Sequence, residues 1–444
     1  MKRSRWLGLA GLILIAPVLA DDVTIADASR EAFSQPMSGL SETELAAFMR
    51  GRTLFRQAWV VSPAQDIAAG LGPLYNRLSC IACHAKNGRG QPPETPADRM
   101  QSMLVRLSVP GVGPHGGPNP HPAYGDQFNE EGVPGVPGEG RVNLRWDEKV
   151  VVLADGTKVS LRQPRLVFTE LAYGPLDGAL TSPRIAQPVY GSGLLDAVSE
   201  STLFALVAET KPDGVKGRVN WVWNAAKGGI ALGRLGWKAN MPDLRQQSAG
   251  AMIGDLGITS PLFPKQNCTP AQTACQQAAL GPQPELSTAQ LNDLVAYQAH
   301  LAVPARRDTE SPAVKAGEAR FAQMGCAVCH RPTLHTDAKA ADPLLAGREI
   351  HPYSDLLLHD MGTGLSDGRP DFMASGQEWR TPPLWGIGLA GKINGKVFFL
   401  HDGRARNYEE AILWHGGEAR VARDRFAKLG ASDRMALQAF LDSL

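Results

Sequence analysis

The chain has almost no net charge, few cysteines and, beyond its N-terminus, no long apolar run. Its 45 Lys and Arg residues nearly balance 44 Asp and Glu residues, for a formal charge of +1. A charge this small gives no bulk electrostatic attraction to nucleic acid or to an anionic membrane. Because a membrane span needs about 20 apolar residues, the mature chain is expected to have none.

Four of the six cysteines lie in two Cys-x-x-Cys-His pentapeptides. This spacing is what covalent attachment of c-type haem requires, since two thiols bond the haem and the adjacent histidine reaches the iron. A zinc knuckle or a redox dithiol would not explain a histidine directly after both pairs. The sequence therefore predicts two haem c groups, held by Cys80, Cys83 and His84 and by Cys326, Cys329 and His330.

The N-terminus has the pattern of a secretory signal peptide. Lys2, Arg3 and Arg5 precede an apolar run over 6–19, which ends at the small residue Ala20. The run is shorter than a membrane span, so an uncleaved anchor is the weaker alternative. Bacteria attach c-type haem outside the cytoplasm. Both patterns therefore predict a periplasmic protein whose signal peptide, residues 1–20, is cleaved near Ala20.

The remaining cysteines, Cys268 and Cys275, lie outside both haem motifs. In an oxidising compartment they most simply pair with each other. A continuous helix would hold them about 10 Å apart, too far for a disulfide. Pro270 favours a loop at this point instead, so the sequence predicts a Cys268–Cys275 disulfide.

The chain is predicted to be mainly α, with two cytochrome c-type domains over 21–305 and 306–444. Apolar residues at helical spacing precede each haem motif, near Phe55 and near Phe321, and a closing helix capped by Ser287 follows the first motif. The N-terminal domain exceeds the roughly 100 residues of a small domain, so it must carry insertions.

Two insertions are visible in the sequence. The segment 110–140 is rich in glycine and proline, which predicts an extended surface loop. The apolar stretches on either side of Asp155–Gly156 predict a small β-hairpin, because Asp-Gly is typical of a tight hairpin turn.

Several segments resemble the di-haem oxidoreductase, putative peroxidase family, also called thiol-oxidoreductase-like. The resemblance runs from Leu54 to Leu444 and is carried by the segments 70–76, 232–240, 257–264, 355–362, 379–386 and 400–405. That family is similar to bacterial di-haem cytochrome c peroxidases and to the di-haem enzyme that matures methylamine dehydrogenase. In these relatives one haem accepts electrons and the other reacts with peroxide.

The resemblance implies a ligand for the C-terminal haem. His415 falls where the relatives place a methionine or a tyrosine on the iron, so it is the expected sixth ligand, with His359 or Met361 as alternatives. Two histidines would make this haem low-spin and low in potential, because methionine ligation raises the potential. His401 is expected to orient a loop or a propionate.

Arginine residues are expected to neutralise the haem propionates. Arg404 and Arg406 are the candidates, since a planar guanidinium pairs with a carboxylate through two hydrogen bonds.

At the N-terminal haem the resemblance implies a reactive site. Trp237 corresponds to the tryptophan between the haems and Gln247 to a glutamine of the peroxide pocket. Asp255 is the best candidate for the acidic residue that moves a proton between the peroxide oxygens. Two of these residues could instead be structural: Trp237 could be a buried core residue, and Asp255 could be a helix-capping or solvated aspartate. Lys238, Met241, His115 or His121 could alternatively bind this iron.

The relatives also hold a calcium ion between their domains, near a segment resembling Thr381–Pro383, so one Ca²⁺ is a further expectation. The leading hypothesis is a periplasmic di-haem oxidoreductase, supplied by a small electron donor such as a cytochrome c or a cupredoxin. Its substrate would be peroxide, a small molecule or a protein. The rival is a non-enzymatic electron-transfer or redox-sensing cytochrome. A third interpretation, suggested by family associations, is an accessory protein of iron uptake.

Overall fold

The computed structural model describes residues 23–62, 64, 68–279 and 281–444. The predicted signal peptide and its cleavage site at Ala20 lie outside the described residues. Within them, no helix is long and apolar enough to cross a membrane.

The helices begin and end as follows: α1 Glu42–Arg56, α2 Cys80–Cys83, α3 Ser192–Asp196, α4 Glu200–Ala208, α5 Leu244–Leu256, α6 Thr273–Gln276, α7 Thr288–Ala299, α8 Pro312–Met324, α9 Ala390–Asn394, α10 Tyr408–Leu413, α11 Arg420–Phe426 and α12 Ala431–Ser443. The strands are β1 Thr24–Ile25, β2 Val60–Val61, β3 Ala69–Leu71, β4 Leu74–Tyr75, β5 Met103–Val112, β6 Pro118–Asn119, β7 Gln127–Phe128, β8 Glu131–Gly132, β9 Arg141–Val152, β10 Lys158–Thr169, β11 Leu180–Ile185, β12 Trp221–Asn224, β13 Gly229–Leu232, β14 Val303–Pro304, β15 Leu334–His335, β16 Glu349–Ile350, β17 Leu358–Asp360 and β18 Glu378–Arg380.

The prediction of a mainly α fold with two cytochrome c-type domains is wrong in its fold class. The structure has 30% helix and 21% strand, and the strands form small mixed sheets. Most of the longer strands lie in the large insertion between the two haem motifs. In β9, for example, Val142 and Leu144 are buried and the residues between them are less so. This alternation has the period of a strand, whereas the prediction extended the helical pattern found near the motifs.

The predicted hairpin is present but much larger than expected. Strands β9 and β10 pair antiparallel over their whole length, from Arg141 opposite Thr169 to Val152 opposite Lys158. The turn contains Gly156, whose φ of 86° suits glycine. The segment 110–140, predicted as a loop, forms the short strands β6, β7 and β8 and the end of β5.

Two crossed helix pairs support the two haem motifs. Helix α1 packs against α7, and α8 packs against α12. A Cβ atom at Gly51 would clash with a backbone carbonyl of α7, and one at Gly317 would clash with a backbone carbonyl of α12. Glycine therefore permits each close crossing. Four residues later on the same helix, Phe55 and Phe321 lie beside the motif histidines, with ring centroids 6.0 and 6.3 Å away.

The apolar core does not divide at residue 305. One cluster of buried residues combines Phe48 with Leu357, and a second combines Leu107 with Phe440. Each cluster thus takes residues from both sides of the predicted boundary. The domain division into 21–305 and 306–444 stays a prediction.

The sulfur atoms of Cys268 and Cys275 are bonded in the structure, and Cys275 is buried. We expect mass spectrometry of the unreduced protein to find this pair oxidised. Replacing both residues by serine should lower the free energy of unfolding by roughly 2–3 kcal/mol, because the unfolded chain loses a loop constraint. The haem content should not change, since neither cysteine belongs to a haem motif. Two free thiols in the unreduced wild type would contradict the prediction.

Candidate functional site

Each Cys-x-x-Cys-His motif lies in the wall of its own cavity. The first cavity has Cys80, Cys83 and His84 in its wall. The second cavity has the corresponding residues Cys326, Cys329 and His330. Apolar and aromatic side chains make up most of both walls, which suits a large, mostly apolar group such as haem.

The two motif histidines are oriented in the same way. His84 Nδ1 donates to the Gln187 carbonyl oxygen at 2.7 Å, and His330 Nδ1 donates to the Tyr353 carbonyl oxygen at 2.9 Å. A carbonyl oxygen can only accept, so the proton is on Nδ1 and the lone pair is on Nε2. This is how proteins commonly orient a metal-ligating imidazole.

Burial favours the neutral form of both imidazoles. It lowers the pKa of His84, and it lowers the pKa of His330 to about 4. A neutral imidazole can bind iron without first losing a proton. Two cysteine sulfurs that are not joined in a disulfide stand beside each histidine. The donor set of each cavity therefore fits a covalently held haem.

The second cavity contains a further histidine that is set up as a ligand. His415 Nδ1 donates to the Ala411 carbonyl oxygen, one helical turn earlier, at 2.7 Å. Its Nε2 is therefore left with the lone pair, and burial lowers its pKa. Since His330 and His415 both line this cavity, the geometry is consistent with the predicted ligand pair.

The other candidates in the second cavity are less suited. His359 uses Nδ1 on Glu418 at 2.8 Å and Nε2 on Asp355 at 2.9 Å. Burial disfavours the protonated form of this imidazole, but the two carboxylates outweigh that effect and raise the pKa of His359 well above its ordinary value. A protonated imidazole has no lone pair for iron. His401 stacks on Trp379 at 3.6 Å.

The described wall of the first cavity offers no second histidine, no methionine and no lysine. Lys238, Met241, His115 and His121 do not line it. The Lys238 ammonium group is instead fully buried against Asp367, at 3.0 Å. The predicted alternatives for this iron thus lie elsewhere.

One face of helix α5 covers the first cavity. Gln247, Ala251 and Asp255 recur every four residues and all line it, because residues four apart share a helix face. Burial raises the pKa of Asp255. Its Oδ1 accepts a hydrogen bond from Gln127 Nε2 at 2.8 Å. The Gln247 side chain donates no hydrogen bond to the described residues that would hold it away from the cavity.

The two cavities share a wall. Trp237 lines both cavities and is 6% exposed, and its Nε1 donates to the Ile185 carbonyl oxygen at 2.9 Å. The same wall contains Arg89, Arg380, Pro382 and Ile387. An indole held here lies between the two places where haem would be bound.

Comparison with known proteins agrees with this arrangement. The family "Di-haem oxidoreductase, putative peroxidase" matches residues 20–444. The chain belongs to this family. The resemblance inferred from sequence segments is thereby confirmed, and two haems are the expected cofactors of this di-haem oxidoreductase.

Other comparisons add little. No curated protein matches the di-haem oxidoreductase. Among solved structures, a chain of Kuenenia stuttgartiensis hydrazine synthase pressurised with xenon is 14% identical, with 100% of both chains covered and a TM-score of 0.37. That similarity is too low to carry an inference about fold or function.

Arg404 and Arg406 do not line either haem cavity of the oxidoreductase. Arg404 forms a bidentate ion pair with Asp402, with Nη2 2.6 Å from Oδ2. Arg406 pairs with Glu410 at 2.8 Å. Their role in binding propionates stays a prediction, but each guanidinium already has a carboxylate partner nearby.

Arg89 and Arg380 were not predicted from the sequence, which marks them only by their positions near other motifs. Arg89 follows His84 by five residues, and Arg380 directly precedes the Thr381–Pro383 segment that was singled out for calcium. Neither position stands out in a chain with 45 basic residues. Calcium binding near Thr381 stays a prediction.

Proposed function

We propose that this di-haem oxidoreductase is a periplasmic, peroxidase-like enzyme with two covalently attached haem c groups. It takes up electrons at the C-terminal haem and carries out substrate chemistry at the N-terminal one. The observation that carries the proposal is the unequal lining of the two cavities. The second cavity is lined by His415 as well as the motif histidine, whereas the described wall of the first has no second histidine, no methionine and no lysine.

The motif residues would hold the cofactors. The two cysteines of each motif would form thioether bonds, and His84 and His330 would ligate through Nε2 because Nδ1 is already used. Haem supplies an iron that exchanges electrons and, where its sixth position is open, binds a small oxidant. His415 would fill that position in the second cavity and so reserve this haem for electron transfer.

Two side chains of α5 are placed to handle peroxide in the first cavity. Cleavage of peroxide requires a proton to move from one oxygen to the other. The Asp255 carboxylate would take and return that proton, and its raised pKa brings it closer to the working pH. The Gln247 amide would orient the peroxide by a hydrogen bond.

Trp237 would relay electrons between the two centres. It is buried, it is held by the hydrogen bond to Ile185, and it contacts both cavities. The electrons would come from a small donor protein such as a cytochrome c or a cupredoxin. A bis-histidine haem has a low potential, so turnover with ordinary high-potential donors should be slow. A bound Ca²⁺ near Thr381 is part of the same proposal.

Electron paramagnetic resonance of the oxidised and half-reduced protein tests whether one haem transfers electrons and the other binds the substrate. We expect two haems per chain, with a high-spin ferric signal from the N-terminal haem and a low-spin signal from the C-terminal one. The reason is that only the second cavity offers a second nitrogen ligand. If both haems are low-spin in both states, the protein is instead an electron carrier or redox sensor without turnover.

A further inference from the structure

Two buried arginine residues in the shared wall form no ion pair with a carboxylate of the described residues. Arg89 is 8% exposed, and its guanidinium group makes no hydrogen bond to any residue that the structure describes. Its guanidinium carbon lies 5.8 Å from the Trp237 ring centroid and 5.9 Å from that of Phe399. Arg380 is 3% exposed and donates only to backbone carbonyl oxygens, those of Gly236 at 2.8 Å and Thr381 at 3.3 Å.

Most of the other buried cations among the described residues are paired with a carboxylate. Arg184 lies 3.1 Å from Asp371, and Lys238 lies 3.0 Å from Asp367. This is the usual situation, because an unpaired buried charge is costly.

Arg162 and Arg380 donate to carbonyl oxygens instead, whereas Arg89 has no hydrogen-bond partner among the described residues. Burial lowers the pKa of Arg89, and it lowers the pKa of Arg380 to about 10. The shared wall therefore offers a place where an anion could bind.

The position of these arginines indicates what the anion is. Arg89 and Arg380 both line the first cavity and both line the second. An anionic group that belongs to the contents of either cavity could reach them. A planar guanidinium is suited to hold a carboxylate by two parallel hydrogen bonds.

We propose that Arg89 and Arg380 form a single carboxylate-binding site shared by both cavities, and that haem propionates from the two sides occupy it. The proposal rests on the proposed function only in requiring a haem in each cavity. In this proposal the propionates bind Arg89 and Arg380, and not Arg404 and Arg406, which the sequence suggests. The proposal also makes both guanidinium groups electrostatic neighbours of both irons.

The consequence is a paired effect on the two reduction potentials. A positive charge near a haem favours the reduced state, since reduction removes one positive charge from the iron. Arg89→Gln should therefore shift both midpoint potentials to more negative values. Arg89→Lys keeps the charge and should restore both potentials most of the way to the wild-type values.

The experiment is spectroelectrochemical titration of the purified holoprotein, with haem content measured for each variant. Two controls remove a charge from one cavity only: Arg77→Gln, since Arg77 lines the first cavity alone, and Arg423→Gln, since Arg423 lines the second alone. Each should shift at most one potential. Arg380→Gln should reproduce the paired shift, and it carries the test if Arg89→Gln fails to retain two haems per chain.

The outcomes separate the possibilities. The shared site would be overturned if the potentials did not change, if only one haem shifted, or if Arg89→Gln and Arg89→Lys gave equal shifts.

The carboxylate bound by the two arginines could instead come from a free molecule in solution, and added formate tests this source. If the potentials depend on formate in wild type but not in Arg89→Gln, the assignment to propionates is overturned. Lack of peroxide turnover with the paired shift intact would instead count against the proposed function alone.

Discussion

Asp255→Asn is expected to lower the rate of peroxide turnover by about 100- to 10,000-fold, the range for loss of a general acid or base. Asparagine keeps the shape of the side chain and can still accept the hydrogen bond from Gln127, which is 2.8 Å long in the wild type. It cannot take up the proton that must move between the peroxide oxygens. The measurement is the rate of oxidation of the fully reduced protein by peroxide, followed by stopped-flow absorbance of both haem bands.

Asp126→Asn is the matched control. Asp126 lies close enough to influence the pKa of Asp255, but its side chain is 52% exposed and pairs with Arg106 at 3.4 Å outside the cavity wall. It should leave the rate nearly unchanged. In wild type the rate should rise with pH through the raised pKa of Asp255, because only the carboxylate accepts the proton, and this rise should vanish in Asp255→Asn. Equal rates in wild type and Asp255→Asn would remove Asp255 from the proposed mechanism.

His415→Ala is expected to convert the C-terminal haem entirely from low-spin to high-spin or water-ligated, because a strong nitrogen ligand is lost. Electron paramagnetic resonance and the optical spectrum of the oxidised protein report this change. The N-terminal haem should keep its own spectrum, since His415 lines only the second cavity. Haem content should remain at two per chain, because attachment depends on the cysteines.

Met361→Leu is the control for this variant. Met361 also lines the second cavity and is the alternative ligand, and leucine is close to it in volume. We expect its spectrum to match wild type. A low-spin spectrum retained in His415→Ala but lost in Met361→Leu would transfer the ligand role to Met361.

Much of the site depends on residues that are close in sequence. In each motif the two cysteines and the histidine lie within one or two helical turns, so their spacing alone predicts what they can bind. The cap of helix α7 is equally local. Ser287 accepts from the Gln290 amide at 3.2 Å, as the sequence predicts. Such features depend only on the geometry of residues that are close in sequence, so they can be predicted without knowledge of the tertiary fold.

The amount of β-structure was not predicted, because the helical patterns around the two motifs do not indicate the structure of the insertion between them. Alternating burial in β9 becomes evident only when its partner β10 and the core below are in place. Strand structure depends on pairing and on which face is buried, both of which are set by distant residues.

The sequence by itself indicated the family and, with it, haem cofactors, and it predicts the residues that would hold them. Only the tertiary structure decided which side chains meet. Trp237 contacts both cavities, His359 is occupied by Asp355 and Glu418, and Arg89 and Arg380 converge although 291 positions separate them in the chain. The physical reason is that binding and proton transfer act over a few ångströms in space, and a sequence specifies such distances only between near neighbours.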